Sequence, residues 1–392
     1  MSHTLAICDL RSASCDFDPH SALRTPQSAI RNRKSAIGNR QSARPFRVAI
    51  ALAAILLLVP ASLADEESPA LARFRKPVDE ALDRALDFLA KHQERDGSFY
   101  SGQMRRSTAI TGLAVMAFLA KGHTPGQAPY GDVINRGIDF VISAQQWNGM
   151  LVGDTHTHGP MYSHTIATLM LSEVSGMVDP DRQKRVDVAL GKALRLILAA
   201  QKMPKPWHHK GGWRYQHNSN DSDISCTGWA LMSLRSVRNS GGAVPREAID
   251  DAVAFVLNCR QRDGGFGYQP GGGSGLARTG TALLCLELCG KHRTRETLAA
   301  GDWILRNMRH GDNDGFFYYG IYYCAQGMFQ LGDEHWEKFA EHLYDTLLKL
   351  QERDGSWPEG RGNEARAGSC YSTAMAVLAL TPAYRQLPIY QR

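Results

Sequence analysis

The sequence predicts an all-α protein of six helical hairpins closed into two concentric rings of six helices. Three observations carry that expectation. First, an apolar helix runs six times into a turn ending in Gly, one intervening residue and a large apolar side chain. Second, the six glycines (Gly97, Gly149, Gly212, Gly264, Gly315 and Gly355) lie 52, 63, 52, 51 and 40 residues apart. A period of that order marks a stacked or closed array of supersecondary units. Third, each unit pairs a helix apolar on one stripe with a helix apolar all round, the patterns of an outer and a buried helix.

The units follow in order. Unit one carries Val78, Ala81, Leu82, Ala85, Leu86 and Leu89 at helical spacing, then Gln93 and Gly97-Ser98-Phe99. Its second helix opens at Thr111-Gly112-Leu113. Unit two has Phe140-Val141, Gln145 and Gly149-Met150-Leu151, with Thr165-Ile166-Ala167 opening the inner helix. In unit three Leu196-Ile197 and Gln201 lead, after a longer insert, to Gly211-Gly212-Trp213 and then Thr227-Gly228-Trp229. Unit four reads Phe255-Val256, Arg260, Gly264-Gly265-Phe266 and Thr279-Gly280-Thr281. Unit five reads Trp303-Ile304, Met308 and Gly315-Phe316-Phe317, and replaces the threonine opening with Tyr318-Tyr319-Gly320-Ile321-Tyr322-Tyr323. Unit six ends the series with Leu347, Gln351, Gly355-Ser356-Trp357 and Thr373-Ala374-Met375. Glycine suits a sharp reversal at positive φ. The aromatic after it plugs the gap between hairpins, and the glutamine reaches carbonyls freed at the helix end. The motif therefore builds the ring and does no chemistry itself.

Residues 1–47 hold eight Lys or Arg against three Asp, a basic low-complexity leader with a seven-residue Ser-Ala-Ile recurrence. The apolar run Val48–Val59, followed by Pro60 and Ser62-Leu63-Ala64, makes residues 48–64 a secretory signal. The expected product is exported to the periplasm or outside the cell, or held at a membrane surface by that segment. Residues 65–77 read as linker and 78–392 as one domain of six repeats. Outside the leader, 37 basic residues face 36 acidic ones, so the body offers no concentrated positive charge for nucleic acid. Six cysteines follow the leader, mostly on apolar helices and without a zinc or disulfide spacing.

The pattern apolar-x3-Gln-x3-Gly-x-aromatic resembles the QW repeat of squalene–hopene and oxidosqualene cyclases. The wider unit resembles the repeats of protein prenyltransferase β subunits, and the match covers residues 78–392. Both families fold as α/α toroids around a deep apolar cavity. The resemblance implies an apolar isoprenoid ligand, or, as the alternative, a non-catalytic toroid that binds a lipid, glycan or protein outside the cytoplasm.

Class II cyclases protonate their substrate with the middle acid of an Asp-x-Asp-Asp motif. The resemblance places that role on Asp223 or Asp221 in Asp221-Ser222-Asp223-Ile224, where one acid of the motif is missing in either register. The residue-level alternative is a helix N-cap. Gly368-Ser369-Cys370-Tyr371-Ser372 resembles the zinc-binding segment of prenyltransferases, with Gly368 in place of the liganding Asp. No metal and no cofactor are therefore expected. The candidate substrate-binding residues are Trp213, Tyr215, Trp229 and His164 near the cavity mouth, with Tyr318, Tyr319, Tyr322 and Tyr323 as aromatic faces able to stabilise a cation.

Overall fold

The computed structural model describes residues 69–391, apart from 101, 157 and 310–314. The leader, the apolar segment at 48–64 and residues 65–68 lie outside the described residues. Helices α1 (Pro69–Lys91), α3 (Gly131–Ser143), α5 (Pro180–Gln201), α7 (Arg246–Asn258), α9 (Arg295–Asn307) and α11 (Asp333–Leu350) form the outer ring. Helices α2 (Thr108–Ala120), α4 (Pro160–Val174), α6 (Ile224–Asn239), α8 (Leu276–Leu288), α10 (Phe317–Leu331) and α12 (Gly368–Leu380) form the inner one. Both rings close: α12 packs on α2, and α11 packs on α1. The burial pattern follows the sequence pattern. Every residue of α2 is buried, whereas α1 buries the stripe Val78, Ala81, Leu82, Ala85, Leu86 and Leu89.

Helix α1 starts at Pro69 rather than at residue 78, so most of the expected linker is its first two turns. The Ala70 N–H donates to Glu337 on α11 at 2.9 Å, and Leu71 is buried. Pro77 stands inside the helix without breaking it.

The repeated turn is a tie between neighbouring units. Gly97, Gly149, Gly211, Gly264 and Gly355 adopt φ of 92°, 93°, 86°, 94° and 92°. In unit three the left-handed residue is thus Gly211, not Gly212. These turns press on the next outer helix: a Cβ on Gly211 would lie 2.1 Å from the Asp251 carbonyl oxygen, and one on Gly355 2.3 Å from that of Arg84. Glutamine completes the tie. Gln93 Nε2 donates to the Gly97 carbonyl at 3.1 Å and to Val133 on the next helix at 2.8 Å. Gln351 does the same to Gly355 (3.0 Å) and, across the ring closure, to Ala81 (2.7 Å).

In five of the six turns the N–H of the large apolar residue is held by the inner helix. Thr227, Thr279 and Thr373 accept, each at 3.0 Å, from the N–H of Trp213, Phe266 and Trp357. Thr111 accepts from Phe99 at 3.3 Å. In unit two the acceptor is His164 Nδ1, 3.0 Å from the Leu151 N–H. Thr165, the counterpart by residue type, bonds back to the Met161 carbonyl instead (2.7 Å).

The centre of the ring is open at one end and filled at the other. Trp229 stacks on Tyr322 at 5.6 Å and meets Tyr323 edge-on at 5.3 Å. Below this floor the C-terminal segment crosses the ring. The Tyr390 hydroxyl bonds Tyr322 (2.6 Å), its carbonyl accepts from Gln330 (3.0 Å), and the Ile389 N–H donates to Glu173 (3.1 Å).

Candidate functional site

A cavity of about 510 Å³ opens where the six inner helices begin, and every one of them contributes to its wall. Ile110 and Leu113 come from α2, Ile166 from α4, Trp229 from α6, Leu276 from α8, Tyr319 from α10 and Tyr371 from α12. The size falls within the roughly 300–1,000 Å³ of small-molecule sites. A second groove of about 600 Å³ lies on the outer shell beside Lys205 and Asp251. The Lys205 ammonium there is committed to the backbone, donating to the carbonyls of Ala200 (3.1 Å), Gln201 (3.3 Å) and Gly212 (2.7 Å).

Three of the residues singled out by sequence line the central cavity: Tyr215, Trp229 and Tyr319. The others lie elsewhere. Trp213 is buried with its indole N–H donated outward to Ile197 on α5 (2.8 Å). His164 is buried as the turn tie of unit two, and burial pushes its imidazole down to about 4. Tyr318 is buried outside the cavity wall, and Tyr322 and Tyr323 are packed beneath the floor.

Neither Asp221 nor Asp223 is among the cavity-lining residues. Asp223 is fully buried and caps α6: its Oδ1 accepts the N–H of Ser225 and of Cys226, both at 2.9 Å. Its Oδ2 takes Arg214 Nη1 at 3.1 Å. Burial pushes the Asp223 carboxyl above its ordinary value, against the pull of the Cys226 N–H and the Arg214 charge. Asp221 Oδ2 meets Arg214 Nε at 3.2 Å and Gln269 Nε2 at 3.3 Å. Burial works to lower the Arg214 guanidinium, but the Asp223 charge overrides it and raises it. The same guanidinium stacks over Tyr215 (4.2 Å) and Tyr268 (5.3 Å) and donates to the Tyr268 hydroxyl at 2.9 Å. The hydroxyls of Tyr268 and Tyr215 are bonded to each other. The acids thus hold Arg214, and Arg214 holds two phenols that line the cavity.

Residues absent from the sequence-based selection complete the wall, among them His158, Tyr162, Tyr268, Arg278, Glu364 and Tyr371. Glu364 accepts the N–H of Tyr318 (3.1 Å) and Tyr319 (2.8 Å) and the Tyr371 hydroxyl (3.1 Å), capping α10 from the connection before α12.

The model of the prenyltransferase alpha-alpha toroid domain matches residues 70–317 and 309–389. The chain belongs to this family. A curated relative is the squalene–hopene cyclase of Bradyrhizobium diazoefficiens, 23% identical over 69% of this chain and 46% of that protein. The chain spans about half the length of that relative. Among solved structures, a D-mannose isomerase superposes with a TM-score of 0.54 at 11% identity, over 79% of this chain and 97% of the other. A glycosidase gives 0.53 at 14% identity, over 79% of this chain and 98% of the other. These two likenesses concern the fold alone.

Gly368 has no side chain to ligate, Cys370 is fully buried, and among the described residues no three His, Cys, Asp or Glu side chains converge as a metal site.

Proposed function

We propose that this toroid binds a lipid-like, largely apolar molecule in its central cavity, outside the cytoplasm, and does so without protonating it. The observation that carries the reading is the cavity itself, about 510 Å³ with walls from all six inner helices and an aromatic floor. Its size and apolar lining suit a single isoprenoid or acyl chain. The name of the curated relative, a squalene–hopene cyclase, supports an isoprenoid.

Cyclisation is the second reading. Its support is the burial of Asp223, which raises the carboxyl as a general acid requires. Against it, Asp223 is committed to two N–H groups and Arg214, and no second carboxylate touches it. Both carboxylate oxygens are thus engaged within the scaffold, and Asp223 is not among the residues that line the cavity.

The test is to purify the chain lacking residues 1–64, extract its bound lipids and identify them by mass spectrometry, with Asp223→Asn in parallel. Binding without chemistry gives retained polyprene or acyl lipid in both proteins and no converted product. Product formed by the wild type and abolished by Asp223→Asn would establish the cyclase reading instead. If neither protein retains or converts a lipid, both readings fall.

A further inference from the structure

Lipid binding alone does not account for the charge in the cavity wall, which carries His158, Arg278 and Glu364 besides its tyrosines. Glu364 is saturated by two backbone N–H groups and the Tyr371 hydroxyl, so its charge is absorbed by the first turn of α10. Arg278 is in a different state. It stands on the first turn of α8 beside Gly275, where an added Cβ would fall 3.0 Å from Arg278 Nε. Its Nη1 donates to the Gly273 carbonyl at 2.8 Å. Among the described residues no carboxylate pairs with it, which leaves most of the guanidinium's five donors uncommitted.

The repeat shows that the fold has no need of charge at this point. Arg278 directly precedes Thr279, the turn tie of unit four; the same position is Ile110 in α2, Ser163 in α4, Cys226 in α6 and Ser372 in α12. Four units use small or apolar residues there. Unit four places a planar cation at the edge of the chamber, where it suits a planar anion.

Tyr215 adds a directed donor to the same wall. Arg214 donates to the Tyr268 oxygen, which favours Tyr268 as donor in its bond to Tyr215. The Tyr215 proton is then left for the cavity.

We propose that the occupant is an amphipathic monocarboxylate, its chain against Ile110, Leu113, Ile166 and Trp229 and its head on the Arg278 guanidinium. The inference rests on the reading of the cavity as a lipid-binding site. A single negative charge is favoured because, of the charged groups in the wall, only the Arg278 guanidinium offers uncommitted donors to a head group. The cavity of about 510 Å³ is within the size range of sites for a single small amphiphile.

Titration calorimetry with dodecanoate, dodecanol and dodecyl phosphate on the wild type, Arg278→Gln and Arg278→Lys tests it. Dodecanoate should bind the wild type about tenfold more tightly than dodecanol, the scale of one charge-assisted contact. Arg278→Gln should remove that preference and leave dodecanol unchanged, and Arg278→Lys should restore part of it. Equal binding of acid and alcohol by the wild type, or equal losses for both in Arg278→Gln, overturns the head-group assignment and leaves lipid binding standing. Tighter binding of dodecyl phosphate than of dodecanoate overturns the carboxylate in favour of phosphate. If no member of the series binds the wild type, the lipid-binding reading falls with the inference.

Discussion

Glu173 lies near the end of α4, 1% exposed, where it accepts the Ser236 hydroxyl and, at 3.1 Å, the Ile389 N–H of the C-terminal segment. Burial pushes its carboxyl from 4.5 up to about 7, with Ser236 and the Ile389 N–H acting in the opposite direction. The folded protein therefore holds this proton more tightly than the unfolded chain, and stability falls as pH rises from 4.5 through 7. At about 1.4 kcal/mol per pKa unit, the loss is about 3 kcal/mol. His164 on the same helix has the opposite sign. Burial lowers it from 6.5 to about 4, so its contribution is present above 6.5 and lost as pH falls through 4, again about 3 kcal/mol. In the wild type the two largely offset one another between about pH 4.5 and 6.5. Glu173→Gln removes one of them while keeping an acceptor for Ile389. The variant should gain up to about 3 kcal/mol over the wild type at pH 8 and lose that advantage by pH 4.5. Urea unfolding of both proteins at half-unit steps from pH 4 to 8 gives the difference directly from midpoints and slopes. A constant offset across the range, whatever its sign, would refute the buried, proton-holding Glu173 described here.

Other perturbations test the ring and the acids. Gly355→Ala puts a Cβ at φ 92° and 2.3 Å from the Arg84 carbonyl; thermal melting should report a loss of about 2 kcal/mol or more. His164→Ala leaves the buried Leu151 N–H without its acceptor, at about 1–3 kcal/mol by urea unfolding; His164→Thr, which copies the other units, should recover most of it. Asp223→Asn keeps an acceptor for the cap but weakens the hold on Arg214. It should lower the melting temperature without changing which lipid co-purifies, and a changed lipid profile would argue against a purely structural Asp223.

The ring was legible because its signals are local and repeated. A stripe such as Val78 to Leu89 and a Gly turn each follow from neighbouring residues, and six copies make closure the natural solution. Register was harder. Gly211 and Gly212 are both glycine, and only the approach to Asp251 decides which one turns the chain. Residues 65–77 read as linker, yet α1 begins at Pro69 and runs through Pro77, with Leu71 buried and Ala70 bonded to α11 on the far side. His164 is misread for a similar reason: matching threonine to threonine selects Thr165, whereas the bond to Leu151 comes from a different residue type one position earlier. In the site, Tyr215, Trp229 and Tyr319 stand next to repeat landmarks and could be picked out. Arg278 and Glu364 read as ordinary loop and helix-start charges, because what distinguishes them is the cavity that distant units build together.

Departures from a repeat sort themselves by what compensates them. Arg260 replaces the bridging glutamine in unit four, and an ion pair to Glu296 on the next outer helix, 3.3 Å away, takes over the tie. Met308 in unit five offers no such bridge, but α10 packs unusually close to α8: a Cβ on Gly280 would lie 2.7 Å from the Cys324 nitrogen. His164 substitutes for threonine and performs the same hydrogen bond. Each of these changes restores a contact that the ring requires, so none needs a ligand to explain it. Arg278 restores nothing. It replaces residues such as Ile110 and Cys226, makes one bond to a partly exposed turn, and would be expected to disfavour an empty apolar chamber by the cost of partly desolvating a charge. A residue that the scaffold does not use, placed on the wall of the scaffold's cavity, is explained by what enters it. Arg278→Ile, which gives unit four the residue of unit one, should therefore leave the fold's stability unchanged or improved in urea unfolding while erasing the calorimetric preference for a charged head group.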